Sequence, residues 1–131
     1  MNLSIDPKGA LPVSEQIAEG IRFAIADGRL SPGDKLESVR GFARSLLVNP
    51  NTVAKVYRDL EREGILRTRP GSGVFVAEAA SRKCRRSAGE AVRRAVREAV
   101  SKGLMAGLDA GEIEALVTEC LEEAGAMNHA R

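Results

Sequence analysis

The chain has few of the residues on which aromatic, metal and catalytic sites depend. Its 131 residues include no Trp, one Tyr, three Phe, two Cys and a single His. With aromatics at 3%, a surface that stacks bases or sugars is not expected. Cys84 and Cys120 lack Cys or His neighbours at metal-ligand spacing, so we interpret both as small apolar or incidental thiols. His129 lies close to the C-terminus and is assigned no role.

Catalytic constellations and long apolar runs are also missing. The sequence contains no nucleophile–base set, metal-ligand cluster or phosphate-binding loop, because the "GSG" at residues 71–73 is too short to count. We therefore expect no enzymatic activity, cofactor or metal. There is no run of about 18 apolar residues, and "MNLSIDPKG" lacks the basic and apolar segments of a secretory signal. These features predict a cytoplasmic protein.

Charge is plentiful but unevenly distributed. The net charge is only +2, yet residues 35–76 carry eight basic and four acidic residues. Residues 82–102 carry eight basic and two acidic residues, whereas residues 109–123 carry six acidic and no basic residues. Two consecutive segments of opposite charge therefore lie in the last part of the sequence. A length of 131 residues allows one domain, or one small domain with an appendage.

Apolar spacing predicts two helices in the first third of the chain. The first covers about residues 12–27 and ends at Gly28, and a tight turn follows at residues 31–34. The second begins after Ser38, which is a good N-cap. The apolar faces of the two helices are Val13, Ile17, Ile21, Ala24 and Ile25, and Val39, Phe42, Ala43, Leu46 and Leu47.

The stretch VNPNTVAKVYRDLEREGIL, residues 48–66, predicts a third helix. Asn49 is the candidate N-cap, Pro50 occupies the first helical position and Gly64 ends the helix. Only Val48 and Asn49 separate it from the second helix, a link short enough for a helix-turn-helix. Its apolar stripe is Val53, Val56, Tyr57 and Leu60.

The next segment, ILRTRPGSGVFVA, changes the period from helix to strand. Residues 65–69 and 74–77 are short β-prone runs around the turn residues 70–73, which predicts a hairpin. Three helices followed by a hairpin is the order of a winged helix-turn-helix. The expected fold class is mainly α with a small β-hairpin wing.

Two further helices are predicted after the hairpin. One covers about residues 84–102, with an Ala/Val side and an end at Gly103. The other starts at Asp109, where Glu112 completes a capping box, and ends at Gly125. Antiparallel packing would bring the basic helix beside the acidic one, and such charges select register and partner more than they stabilise.

The polar, uncharged first turn of the third helix suits an approach to DNA. The major groove admits one helix, whose N-terminal residues meet the base edges. Backbone N–H groups at this end also favour a phosphate. Asn51 and Thr52 would face DNA, with Lys55 one turn later. The simpler alternative is that Asn-Pro-Asn-Thr is only a good helix start, and the flanking order of helix, short link and hairpin argues against it.

Residues 11–77 strongly resemble the DNA-binding domain of GntR-family transcription regulators. The motifs G-x-L-x-P-G-x-x-L-x-S-V-R, N-x-N-T-V-x-K-x-Y-x-x-L-E-x-E-G and G-x-G-x-x-V occur in order at the right separations. The short tail is similar to that of the YtrA subfamily, because the 54 residues after Ala77 are too few for the effector domains of the larger subfamilies. The resemblance implies a winged helix-turn-helix domain at residues 1–77 and a helical dimerisation tail at residues 78–131.

Carried over to this sequence, the resemblance implies a set of DNA contacts. Glu37 departs from the family's usual Pro before S-V-R, so we expect its carboxylate to weaken DNA affinity and the loss of Pro to loosen the entry to the second helix. The contacts would be Ser38 and Arg40 at the start of the second helix, Asn49, Asn51, Thr52 and Lys55 in the third, and Arg69, Gly71, Ser72 and Gly73 in the wing.

The tail is expected to form a homodimer, because two helices alone bury too little surface to stand free. Two alternatives stay open. The tail could pack on its own winged domain, and the run Arg82, Lys83, Arg85 and Arg86 could contact phosphates flanking the site, although a solvated linker is the preferred interpretation of that run. The expected dimer residues are Val92, Val96, Val100, Leu104, Leu108, Ile113, Leu116, Val117, Cys120 and Leu121.

The sequence therefore predicts a homodimeric, sequence-specific DNA-binding transcriptional regulator, with repression at a palindromic operator as its expected action. Resemblance to the YtrA group implies control of its own operon, often one that encodes an ABC transporter. An unknown small-molecule effector would have to bind at the interface between tail and winged domain. The alternative function is a winged-helix protein-interaction module that has lost DNA binding, against which Arg40, Thr52, Lys55 and the wing glycines argue.

Overall fold

The computed structural model describes residues 3–128, with side chains as far as residue 125, and His129 lies outside them. The described chain is mainly helical with one antiparallel hairpin, as the sequence predicts. It divides into two compact units, Met1–Glu90 and Ala91–Arg131. Among residues 3–128, none of the helices combines the length and the apolar character that a membrane span requires. The elements are α1 (Val13–Ala26), α2 (Val39–Leu46), α3 (Pro50–Arg62), β1 (Leu66–Arg69), β2 (Gly73–Val76), α4 (Ala80–Met105) and α5 (Ala110–Asn128).

The predicted caps of α2 and α3 are confirmed. The Ser38 hydroxyl accepts a hydrogen bond from the Gly41 N–H at 3.0 Å, and the Asn49 side-chain oxygen accepts one from the Asn51 N–H at 2.8 Å. The predicted link of two residues is one residue too short. Leu47 takes left-handed backbone angles (φ 58°, ψ 44°) and ends α2, so residues 47–49 separate the two helices.

The first unit is built around the apolar stripe of α3, as predicted. Val53, Val56, Tyr57 and Leu60 are all buried, and α3 packs against both α1 and α2. The Phe42 ring from α2 stacks on Tyr57 with their centroids 6.2 Å apart. Full burial of an aliphatic or aromatic side chain stabilises by about 1.5–3 kcal/mol. This packing fixes the direction in which the first turn of α3 points.

The hairpin is extended by an isolated antiparallel β-bridge between Lys35 and Phe75. Strands β1 and β2 pair in register from Leu66 opposite Val76 to Arg69 opposite Gly73. Residues 33–36 then add along β2, where the Leu36 N–H donates to the Val74 carbonyl at 2.8 Å and the Val76 N–H donates to the Asp34 carbonyl at 2.9 Å. The sequence pattern does not predict this bridge, because too few residues lie between the turn at residues 31–34 and the N-cap Ser38 for an alternation to develop.

Both tail helices extend beyond their predicted bounds. Helix α4 begins at Ala80 rather than near residue 84, because Ala80 and Cys84 are fully buried in the core of the first unit. Gly103 lies inside α4 instead of ending it. A Cβ there would lie 3.0 Å from Ile113 Cδ1, so the glycine allows close packing. The chain turns instead at Gly107, where φ is +89°.

The start of α5 is the capping box that the sequence predicts. The Glu112 N–H donates to the Asp109 carboxylate at 2.8 Å, and the Asp109 N–H donates to the Glu112 carboxylate at 3.3 Å. The predicted end at Gly125 is wrong, because the helix continues to Asn128. A single glycine costs a helix only about 1 kcal/mol relative to alanine, which is too little to end it.

Candidate nucleic-acid interface

The first turn of α3 carries polar side chains, some of which are used within the fold and some of which are free. The Asn49 side-chain oxygen is occupied in the cap, whereas the side chains of Asn51 and Thr52 form no hydrogen bond with any residue from 3 to 125. Asn51 is exposed and Thr52 is partly exposed. One turn later, Lys55 pairs with Asp59 at 3.3 Å, with 64% of the lysine side chain exposed. The end of the helix therefore offers two unused hydrogen-bonding side chains and one loosely paired cation.

The start of α2 is also exposed, and its backbone is held in place. The Ser38 hydroxyl serves as the cap, while Arg40 and Arg44 are exposed and form no ion pair with other described side chains. The Tyr57 hydroxyl donates to the Glu37 carbonyl oxygen at 2.8 Å. The entry to α2 is therefore anchored by Tyr57, while the loosening expected from the absence of Pro stays a prediction. Burial, with a smaller contribution from the Glu37 charge, raises the pKa of Tyr57 well above its ordinary value.

The wing tip is formed by small residues with little side chain to obstruct a ligand. Gly71 has φ +79°, and no atom lies within 4 Å of the position that a Cβ there would take. The Ser72 N–H donates to the Arg69 carbonyl at 2.9 Å and closes the turn. Gly73 has φ +127°, and a Cβ there would lie 2.9 Å from Lys35 Cε. The backbone of the tip is thus open on one side and covered by Lys35 on the other.

Three cations surround one aromatic ring on the outer face of the wing. Phe75 is directly opposite Arg67 on β1 and bridges to Lys35 on its other side. The Arg69 guanidinium lies 5.0 Å from the centroid of the Phe75 ring, within the range of a cation–π contact. None of the three cations pairs with a carboxylate of the described residues. We call Lys35, Arg67, Arg69 and Phe75 the outer wing cluster.

Sequence reasoning found only Arg69 of this cluster. The sequence does not indicate Lys35, because its position beside the wing depends on the isolated β-bridge to Phe75. Arg67 could have been found, since alternation along β1 places residues 67 and 69 on the same face.

The basic run after the wing is not a linker. It forms the first turns of α4, where Cys84 is buried and Lys83 donates from Nζ to the Glu63 carbonyl at 3.1 Å. Glu63 also pairs with Arg22 at 2.8 Å. Burial raises the pKa of the Cys84 thiol. Glu63, to which Lys83 donates, caps the C-terminal end of α3, about 18 Å of helix away from Asn51. The position of Lys83 therefore does not favour phosphate contacts beside the first turn of α3.

The second unit exposes most of its apolar side chains. Val92, Val96 and Leu104 on α4 are more than half exposed, and Leu121 on α5 is 66% exposed. Met105 is also exposed, and Leu116 and Val117 are about half exposed. Val100, Leu108 and Ile113 are partly buried, and Cys120 is an exposed free thiol. Isolated exposed apolar residues are ordinary, whereas several at helical spacing along one helix, such as Val92, Val96 and Leu104, are typical of an interaction surface.

Comparison with known proteins places these features in one family. Residues 13–76 match the family "Bacterial regulatory proteins, gntR family". The "HTH-type transcriptional repressor YtrA" of Bacillus subtilis is 45% identical over 78 residues, which cover 60% of this chain and 60% of that protein. The matched region thus spans about three fifths of that curated relative.

Two solved structures are similar as well. "YtrA from Sulfolobus acidocaldarius, a GntR-family transcription factor" has a TM-score of 0.56 and 33% identity, and the match covers 76% of this chain and 97% of that one. The AraR DNA-binding domain, solved in complex with operator ORX1, has a TM-score of 0.53 and 28% identity, and covers 59% of this chain and 99% of its own. The second structure contains the matching unit bound to DNA.

Proposed function

The chain belongs to the GntR family of bacterial regulatory proteins, and we propose that it is a sequence-specific DNA-binding transcriptional regulator that binds an inverted-repeat operator as a homodimer. The observation that carries the proposal is the first turn of α3. Its Asn51 and Thr52 side chains are unused by the fold, and its direction is fixed by a buried stripe. Such an end suits insertion into the major groove, where short polar side chains meet base edges.

The proposed contacts divide according to how each side chain is used in the fold. Asn51 and Thr52 bind bases, because their hydrogen-bonding groups are free. Ser38 and Asn49 have their oxygens occupied in caps, so they position the helix ends close to phosphates rather than specify sequence. Arg40 and Lys55 supply longer-range contacts to bases or phosphates.

The wing supplies a second set of contacts. Gly71, Ser72 and Gly73 at the tip allow the backbone to approach the minor groove. The outer wing cluster adds cations that neutralise phosphates beside it, and Lys35 reaches the base of the tip at Gly73. Phosphate contacts of this kind dominate affinity and make it dependent on salt.

The exposed apolar surface of the second unit forms the proposed homodimer interface. Residues on α4 and α5 that stay half exposed in one chain would be covered by the same surface of a second copy, as in an isologous interface. The basic α4 and the acidic α5 favour pairing between unlike helices. We further propose that residues 1–77 bind DNA and that residues 78–131 dimerise, with the start of α4 docked in the core of the first unit.

The proposed action is repression. The Bacillus subtilis relative is named a transcriptional repressor. A homodimer that binds an operator can repress by occupying the DNA.

Selection of binding sites from random duplex DNA tests the proposed function. We expect enrichment of an inverted repeat with half-sites about one helical turn apart. Affinity for this selected duplex should fall steeply with salt and be lost on scrambling. A folded protein that enriches no sequence, or whose affinity is indifferent to salt and sequence, would show the proposed function to be wrong and favour a protein-interaction module.

A further inference from the structure

The turn between α2 and α3 carries a large apolar residue in a conformation that suits glycine. Leu47 has φ 58° and ψ 44°, and among residues 3–128 every other residue with a positive φ is a glycine. A left-handed backbone crowds the Cβ of an L-residue, and glycine, asparagine and aspartate tolerate it best. The chain therefore keeps leucine at a position where the backbone disfavours it.

The side chain of Leu47 contributes little packing to the fold. It is 91% exposed, whereas its neighbours Leu46 and Val48 are partly buried against the core. An exposed leucine in a strained turn is doubly unfavourable, because glycine would relieve the backbone without losing any packing. The exposed Leu47 side chain is therefore free to take a role outside the fold.

The position of Leu47 shows which surface it serves. Leu47, Asn49 and Thr52 line one open concavity of about 390 Å³ beside the first turn of α3. Asn49 and Thr52 are the cap and a proposed base-reading residue of that turn. Leu47 is therefore continuous with the surface that meets DNA in the proposed function.

We propose that Leu47 is a specificity-determining residue that contacts the 5-methyl group of a thymine at the edge of each half-site. This proposal rests on the proposed function. Thymine is the base that presents an apolar group in the major groove, and apolar side chains recognise it there. The Leu47 side chain has no donor or acceptor, so it can discriminate a base only through such a contact.

Three variants separate this role from backbone effects. Leu47→Gly and Leu47→Asn remove the apolar group and suit the left-handed backbone, whereas Leu47→Met keeps an apolar group at the same strain. We expect the glycine and asparagine variants to unfold at or above the wild-type temperature. We expect each to bind the selected duplex about fourfold more weakly per half-site, the loss that corresponds to one buried methyl-sized group. Leu47→Met should bind as the wild type does.

Replacement of single thymines by deoxyuridine, which removes only the methyl group, identifies the partner. We expect one symmetric position at which deoxyuridine weakens wild-type binding by a similar factor and leaves Leu47→Gly unaffected. Such non-additivity is the signature of a direct contact. Full-length protein and the selected duplex are used throughout.

Several results would overturn the proposal. Leu47→Gly could bind the selected duplex as tightly as the wild type, or it could lose affinity equally for selected and scrambled duplexes with no position coupled to deoxyuridine. The second result would assign Leu47 to the sugar–phosphate backbone. In both cases the wild type would still prefer the selected duplex, whereas failure of the proposed function itself would abolish that preference.

Discussion

Asn49→Asp separates the structural role of the α3 cap from its position at the DNA surface. The Asn49 oxygen accepts a hydrogen bond from the Asn51 N–H at 2.8 Å, and an aspartate oxygen can accept the same bond. A negative charge at a helix N-terminus adds about 0.3–1 kcal/mol of stability. We therefore expect the free energy of unfolding to stay the same or to rise slightly. Asn49→Ala, by contrast, should lose about 1 kcal/mol because the cap disappears.

The effect on DNA binding should have the opposite sign. Two like charges about 6 Å apart in water repel by about 0.7 kcal/mol. An aspartate beside a phosphate in each half-site would therefore weaken binding by about 1.4 kcal/mol in a dimer, or roughly tenfold. The loss should shrink as added salt shortens the screening length below its value of about 10 Å at 0.1 M.

Urea unfolding followed by far-ultraviolet circular dichroism and anisotropy titration of a labelled duplex measure the two effects. Asn49→Ala serves as the matched variant, since it loses the cap but adds no charge. If Asn49→Asp binds the selected duplex as tightly as the wild type at low salt, the first turn of α3 does not face phosphates and the proposed orientation is wrong.

Three further predictions concern the dimer, the wing and the α2 entry. Val96→Asp should raise the dimer dissociation constant at least about tenfold in sedimentation experiments, and an unchanged dissociation constant would refute the interface. Lys35→Ala should reduce the slope of the logarithm of the binding constant against the logarithm of the salt concentration by about 2 for a dimer. An unchanged slope would show that Lys35 does not contact a phosphate. Tyr57→Phe should lose about 1 kcal/mol of stability at pH 7 through the hydrogen bond to the Glu37 carbonyl. Because the pKa of Tyr57 is raised on folding, the wild type should lose stability above about pH 10 as the unfolded tyrosine ionises. The difference in free energy of unfolding between the wild type and Tyr57→Phe should therefore become smaller in denaturation experiments at increasing pH, and a constant difference would contradict the burial of Tyr57.

The elements of the first unit could be predicted because their signals are local. Ser38 and Asn49 cap their helices as their residue types and spacing indicate, and Val53 to Leu60 form one stripe at helical spacing. Such features depend on neighbours within a few residues along the chain. Caps and periodicity are therefore enough to place α1, α2, α3 and the hairpin.

The remaining features depend on contacts between distant segments. An isolated β-bridge brings Lys35 beside Phe75, and no local sequence pattern predicts it. The early start of α4 depends on burial of Ala80 and Cys84 against the first unit, which the run of neighbouring arginines obscures. Leu47 looks like the end of an apolar stripe in the sequence, whereas its backbone leaves the helix and exposes it. The free or occupied state of each polar side chain likewise emerges only from the folded chain.

Affinity cleavage tests the central claim most directly. Asn51→Cys, prepared with Cys120→Ser to remove the exposed thiol, would carry a DNA-cleaving reagent at the first turn of α3. Arg62→Cys places the same reagent about 17 Å away at the other end of the same helix. The account predicts two patches of cleavage from position 51, one in each half-site and related by the symmetry of the selected duplex, and little cleavage from position 62. A single patch from position 51, or equal cleavage from both positions, would contradict a homodimer that inserts the start of α3 into DNA.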